Sequence, residues 1–206
     1  MTDEKEDEEE EIMEIKAILL GETGVGKTNL TNAAVDLRFE EKSSPTTNSL
    51  YVQKKMIIFG KNILLRLWDT AGQEKFRALT KLFYKNSNIV IFVYDITNKK
   101  RFTELNFWIK EIKESLDNEP IFGIIGNKSD LEEIKEVDEN MAQKFAEEKG
   151  MKFKLISTKD DPKSFKMFLR TLVKDYINKK LGNVDGKNSF DLKEKKEANQ
   201  GSCLIF

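Results

Sequence analysis

Gly21-Glu22-Thr23-Gly24-Val25-Gly26-Lys27-Thr28 brings together residue types that can hold a polyphosphate. Glycines let the backbone curl with its N–H groups facing inward, where they cradle phosphate oxygens. Lys27 adds a point charge at the β- and γ-phosphates, and the Thr28 hydroxyl is a ligand for Mg²⁺. Helix-forming sequence follows from Lys27 through Asn29, so the positive end of a helix dipole faces the same anion. An apolar run ending at Leu20 precedes the loop. A G-x-x-x-x-G-K-[ST] pattern between strand and helix predicts a nucleoside-triphosphate site, with Glu22 through Asn29 as its phosphate-binding residues.

Two further constellations fit that site. Trp68-Asp69-Thr70-Ala71-Gly72-Gln73-Glu74 leaves the end of an apolar run. A carboxylate at a strand end beside a phosphate loop is the expected second Mg²⁺ anchor, direct or through water, which gives Asp69 that role. The Gly72 backbone N–H is a donor for a γ-phosphate, and the Gln73 amide can orient the attacking water, so Lys27 and Gln73 are the catalytic candidates. Asn127-Lys128-Ser129-Asp130 follows another apolar run. A carboxylate accepts two parallel hydrogen bonds from guanine N1–H and its 2-amino group, whereas adenine has no matching donor pair. Asn127 can face the purine edge while the Lys128 stem lies across the ring. Each short motif alone could be an ordinary polar turn; their placement argues against chance.

The elements that must position these residues follow from periodicity. Ile12 to Leu20 reads as a strand and Lys27 to Leu37 as a helix, with a polar loop from Arg38 to Ser49. Leu50 to Phe59 and Ile63 to Asp69 read as a hairpin turning at Gly60-Lys61-Asn62. Ile89 to Asp95 and Ile121 to Gly126 are continuous apolar runs, as expected of strands buried on both faces. Phe102, Leu105, Ile109, Ile112 and Leu116 recur at helical spacing. Val137 to Lys149 reads as a helix capped by Gly150, Lys152 to Ile156 as a strand, and Pro162 to Leu181 as a helix. Strands alternating with helices predict an α/β fold. Its six-stranded sheet is mostly parallel, covered by helices on both faces, with one antiparallel edge pair. Ligands of such sheets bind at the carboxyl ends of the strands.

Composition narrows the classes. Hydrophobic residues are 39% and charged residues 34% of 206, with a net charge of −1, which gives no field that points to nucleic acid. With no histidine, histidine metal sites and histidine general bases are excluded. The single cysteine excludes an intrachain disulfide and suits a reducing compartment. No apolar run approaches membrane-spanning length and the acidic start is no signal peptide, so a cytosolic protein is expected. Residues 1–11 form an acidic run whose composition predicts a solvated, disordered tail.

Taken together, the chain resembles the Ras superfamily of small GTPases over residues 12–181, in motif order and spacing. The resemblance implies a P-loop NTPase G domain that binds GTP or GDP with Mg²⁺. Thr46 then matches the switch I threonine that closes on Mg²⁺ and the γ-phosphate, and Phe39 the aromatic beside the base. Ser157-Thr158-Lys159 resembles the loop whose backbone meets the guanine oxygen, with Thr158 in place of the usual alanine. The Rab branch is the most similar: Trp68, Phe83-Tyr84-Lys85-Asn86-Ser87 and Tyr94-Asp95-Ile96-Thr97 resemble its signatures. Tyr51, Trp68 and Phe83 fall on the aromatic positions that Rabs present to effectors. Switch I departs from the Rab pattern, reading Thr46-Thr47-Asn48-Ser49-Leu50-Tyr51.

Residues 182–206 read as a flexible tail ending Cys203-Leu204-Ile205-Phe206, a C-a-a-X box whose terminal Phe favours geranylgeranyl. No helical insert of the Rho kind fits between Asp130 and Ser157, and Thr2 excludes N-myristoylation. The resemblance implies a lipid-anchored switch of vesicle traffic with a cytosolic pool. Its partners would be an exchange factor, a GTPase-activating protein, a GDP-dissociation-inhibitor-like chaperone and effectors. Three rivals stay open: a Ras-type signalling switch at the plasma membrane, an ATP-using phosphate-loop enzyme and a non-hydrolysing GTP-binding scaffold.

Overall fold

The computed structural model describes residues 11–40, 50–70, 84–116 and 118–182. The acidic start, the tail with Cys203, the loop with Thr46, and Gly72, Gln73 and Phe83 lie outside the described residues.

The strands are β1 (Ile12–Leu20), β2 (Leu50–Ile58), β3 (Lys61–Asp69), β4 (Ile89–Asp95), β5 (Ile121–Asn127) and β6 (Lys152–Ile156). They form one sheet in the order β2-β3-β1-β4-β5-β6. Only β2–β3 is antiparallel; the other pairings are parallel. The helices are α1 (Lys27–Ala34), α2 (Lys99–Ser115), α3 (Glu139–Glu148) and α4 (Pro162–Leu181), with a 3-10 turn over Glu132–Ile134. Side-chain alternation along β1 sends Ile15, Ala17 and Leu19 to the face covered by α1 and α4. Ile18 and Leu20 go to the face covered by α2 and α3. Every residue of β4 is buried, as its unbroken apolar run requires.

Several boundaries differ from the expectation, and those of α1, the hairpin and α3 have local reasons. α1 stops at Ala34 because Asp36 turns left-handed (φ 64). The Leu37 N–H then reaches the Asn32 carbonyl and the Asp36 N–H the Ala33 carbonyl, a Schellman cap with Asp in glycine's usual place. The hairpin turns on Phe59-Gly60, both at positive φ, so Lys61 and Asn62 pair in β3 rather than forming the turn. α3 starts after Asp138, whose carboxylate accepts from the Met141 N–H; Val137 instead donates its N–H to Ile96 O. At its other end Gly150 (φ 67) closes α3 as expected.

The register brings the motifs to one edge. Leu19 lies opposite Asp69, Leu20 opposite Phe92, Asp95 opposite Asn127, and Asn127 opposite Ile156. β5 thus runs one residue further than expected, and that residue is Asn127.

Candidate functional site

The phosphate loop folds around Lys27. Its ammonium donates to the carbonyls of Gly21 (2.8 Å) and Glu22 (3.0 Å), which uses two of its three donors. The side chain is buried, and burial pushes its pKa down to about 8; Asp69 and Glu22 oppose that shift and Arg101 adds to it. A desolvated ammonium at the mouth of a helix is held poised for an anion. Gly26 caps α1 at φ 95, and a methyl there would lie 2.2 Å from the Asn127 side-chain nitrogen, so only glycine fits.

Thr28, in the first turn of α1, donates its hydroxyl to Asp69 Oδ2 at 2.7 Å. Asp69 Oδ1 is buried without a hydrogen-bond partner among the described residues. Burial raises the Asp69 pKa, with the Thr28 hydroxyl and Lys27 opposing. The exit from β3 is tied down by Thr70, whose hydroxyl donates to Leu19 O at 2.7 Å. An unpaired carboxylate oxygen beside a hydroxyl is a donor set for a hard cation. Among the described residues no group of three or more Asp, Glu, Cys or His side chains could hold a metal. A cation here would therefore complete its shell with oxygens from outside this set.

The other end is built from β4, β5 and the turn after β6. Asn127 donates its side-chain N–H to Val25 O at 2.8 Å, stapling the end of β5 to the phosphate loop. Lys128 sits at φ 64 and its ammonium pairs with Asp95 Oδ2 at 2.6 Å. Burial opposes ionisation of Asp95, yet Lys128 and two Thr97 donors outweigh it and hold the carboxyl below its ordinary value. Asp130 Oδ1 accepts from the Ser157 hydroxyl at 2.7 Å, which fixes the carboxylate's orientation. Ser157 and Thr158 are buried and Lys159 is exposed beside them. Phe39 is exposed, and the segment carrying it is pinned by Asn29. The Asn29 amide donates to Glu40 O (2.9 Å) and accepts from the Glu40 N–H (3.0 Å).

On the neighbouring edge Tyr51 and Trp68 stack with ring centroids 4.8 Å apart, and the Lys16 ammonium lies 5.2 Å from the Trp68 ring. Sequence reasoning gave Asp95 and Thr70 no role of their own at the site and missed Arg101 altogether. Asp95 could have been found from its place at a strand end. Arg101 reaches the loop from 78 residues away, a contact no local pattern signals.

A sequence model of the Ras family matches residues 16–177. Ras-related protein Rab-21 of Homo sapiens is 40% identical over 154 residues, covering 75% of this chain and 68% of the relative. Rab-21 of Bos taurus is 40% identical with 75% and 69% covered. Ras-related protein YPTC6 of Chlamydomonas reinhardtii is 33% identical over 168 residues, with 81% and 78% covered. The chain belongs to the Ras family. Within it the chain is a Rab-like small GTPase, a GTP/GDP switch of membrane trafficking that hydrolyses GTP. Family membership speaks against the ATP-using rival, and the Rab relatives against the plasma-membrane signalling rival.

Proposed function

We propose that the edge of the sheet described above binds GTP and GDP, with the triphosphate on the Glu22–Asn29 loop and guanine against Asn127, Lys128 and Asp130. One observation carries the reading: Asp69 Oδ1, buried and unpaired, lies on the carboxylate that accepts from Thr28, next to a buried Lys27. That donor set fits Mg²⁺, which would neutralise phosphate charge when held by Thr28, Asp69 and Thr46. Lys27 holds its charge against the phosphates, and the loop N–H groups orient them. Gln73 positions water in line with the γ-phosphorus; the water oxygen bonds phosphorus, the β–γ bridging bond breaks, and GDP leaves with inorganic phosphate. Gly72 and Thr46 follow the γ-phosphate and release their segments once it has gone. Asp130, oriented by Ser157, selects guanine; the backbone of Ser157, Thr158 and Lys159 lies against the base edge and Phe39 beside its ring.

Around this switch the reading places an exchange factor, a GTPase-activating protein and effectors that meet Tyr51, Trp68 and Phe83. Prenylation at Cys203 supplies the membrane anchor, and a lipid-shielding chaperone maintains the cytosolic pool. The base assignment is tested by Asp130→Asn. Its amide offers a donor to the 2-oxo group of xanthine, so GTP affinity falls and xanthosine triphosphate affinity rises. Equal GTP affinity of parent and variant rejects the assignment.

A further inference from the structure

Arg101 is a charge on the phosphate loop that the scheme above does not use. It stands in the first turn of α2, where the Asn98 side chain caps its backbone N–H at 3.0 Å. From there its guanidinium donates through Nη1 to the carbonyl of Thr23. Among the described residues it meets no carboxylate. Its charge also reaches Lys27, whose ammonium it disfavours. Two cations at one loop repel each other, an arrangement that gains from a polyanion between them.

The Thr23 carbonyl and the Gly24 N–H belong to one planar trans peptide unit, so they point in opposite directions. With the carbonyl turned outward to α2, the Gly24 N–H is turned into the loop. Gly24 is exposed and sits at φ 79. The nearest atom to a Cβ placed there would be Arg101 Nη1, at 3.6 Å. No side chain of its own fixes this peptide; the guanidinium does. A cation on the carbonyl also polarises the N–H at the other end of the same unit and strengthens it as a donor.

Accordingly, we propose that Arg101 is a positioning residue for the nucleotide: bound to the Thr23 carbonyl, it orients and polarises the Thr23–Gly24 peptide so that the Gly24 N–H donates to the phosphate chain. This rests on the reading that the loop holds GTP and GDP. The test compares parent, Arg101→Met and Arg101→Lys, each loaded with GDP, by nucleotide dissociation and by the Gly24 amide signal in ¹⁵N-labelled protein. Arg101→Met is expected to release GDP about tenfold faster, the equivalent of one charged hydrogen bond, and to move the Gly24 amide proton upfield. Arg101→Lys, which keeps a charged donor, recovers most of both. Faster release with an unmoved Gly24 amide makes Arg101 a general brace and overturns the inference, as does an unchanged release rate. A parent that fails to hold GDP would instead reject the site reading itself.

Discussion

Lys27 should make nucleotide capture depend on pH. Burial takes its ammonium from 10.5 down to about 8, which withholds about 3 kcal/mol from the charged form in the nucleotide-free site. Phosphates restore that charge, so binding above pH 8 must draw a proton from solution. If the bound ammonium stays protonated throughout, GDP affinity falls about fourfold between pH 7 and pH 8.5, as the protonated fraction of the free site falls. At pH 8 about half a proton is taken up per nucleotide. Folding responds with the opposite sense. The folded pKa lies below the unfolded one, so the unfolded chain holds more protons between pH 8 and 10.5, and the nucleotide-free protein gains stability across that window.

Calorimetric titration of the nucleotide-free protein with GDP, in two buffers of different ionisation enthalpy, reads both affinity and proton uptake. Lys27→Arg is the control, because a guanidinium stays charged over this range while the nucleotide's own titration is unchanged. Parent and Lys27→Arg with the same pH profile, or no proton uptake at pH 8, would refute the account of Lys27.

Gly26→Ala sets a methyl 2.2 Å from Asn127 Nδ2 and strains a φ of 95. GDP binding should drop sharply by fluorescence titration, and adding Asn127→Ala should not restore it, since the backbone strain remains. Gln73→Leu keeps volume but loses the water-orienting amide, so single-turnover GTP hydrolysis slows while GTP affinity persists; unchanged hydrolysis removes Gln73 from the mechanism. For Cys203, the lysines after Gly182 (Lys187, Lys193, Lys195, Lys196) are offset by Asp185, Asp191, Glu194 and Glu197. One lipid chain without a basic patch anchors reversibly. Fractionation should therefore show Cys203→Ser leaving the membrane entirely and parent binding that responds weakly to salt; a variant that still pellets rejects the lipid's role.

The sheet was legible because β4 is an unbroken apolar run buried on both faces while β3 alternates between its faces. β4 and β6 keep the limits their apolar runs predict, as does α4 between Pro162 and Gly182. What escaped was conformation set by single residues. Asp36 and Phe59 adopt positive φ, uncommon for any residue but glycine though less so for Asp than for Phe, and so α1 ended early and the hairpin tightened. At the site, Asp69 and Asn127 end their strands, Lys27 and Thr28 open α1, and Asp130 follows β5, the places their motifs predict. Their mutual contacts were not readable. Nothing in the Asn127 motif says that its amide bonds Val25 O across 102 residues, nor that Asp95 is what holds Lys128.

Those contacts divide the site into parts of unequal firmness. On the base side, Ile96 N–H donates to Asn127 O, Ser129 N–H to Ile156 O, and Asn127 itself to Val25 O. Phosphate loop, β5 and β6 are thereby joined through buried or half-buried hydrogen bonds, with a Lys128–Asp95 pair largely shielded from water on the carboxylate side. Buried charged bonds of this kind are expensive to leave unmade. Beside the ring of the proposed base, the Phe39 segment is held among the described residues by an exposed amide pair between Asn29 and Glu40. Water competes for those two bonds at little cost. The site should therefore open from the Phe39 side first, with the Asn127 frame intact. A nucleotide that leaves by that route loses Phe39 beside its ring before it loses Lys27, whose ammonium is then returned to the desolvated state that gives capture its pH dependence.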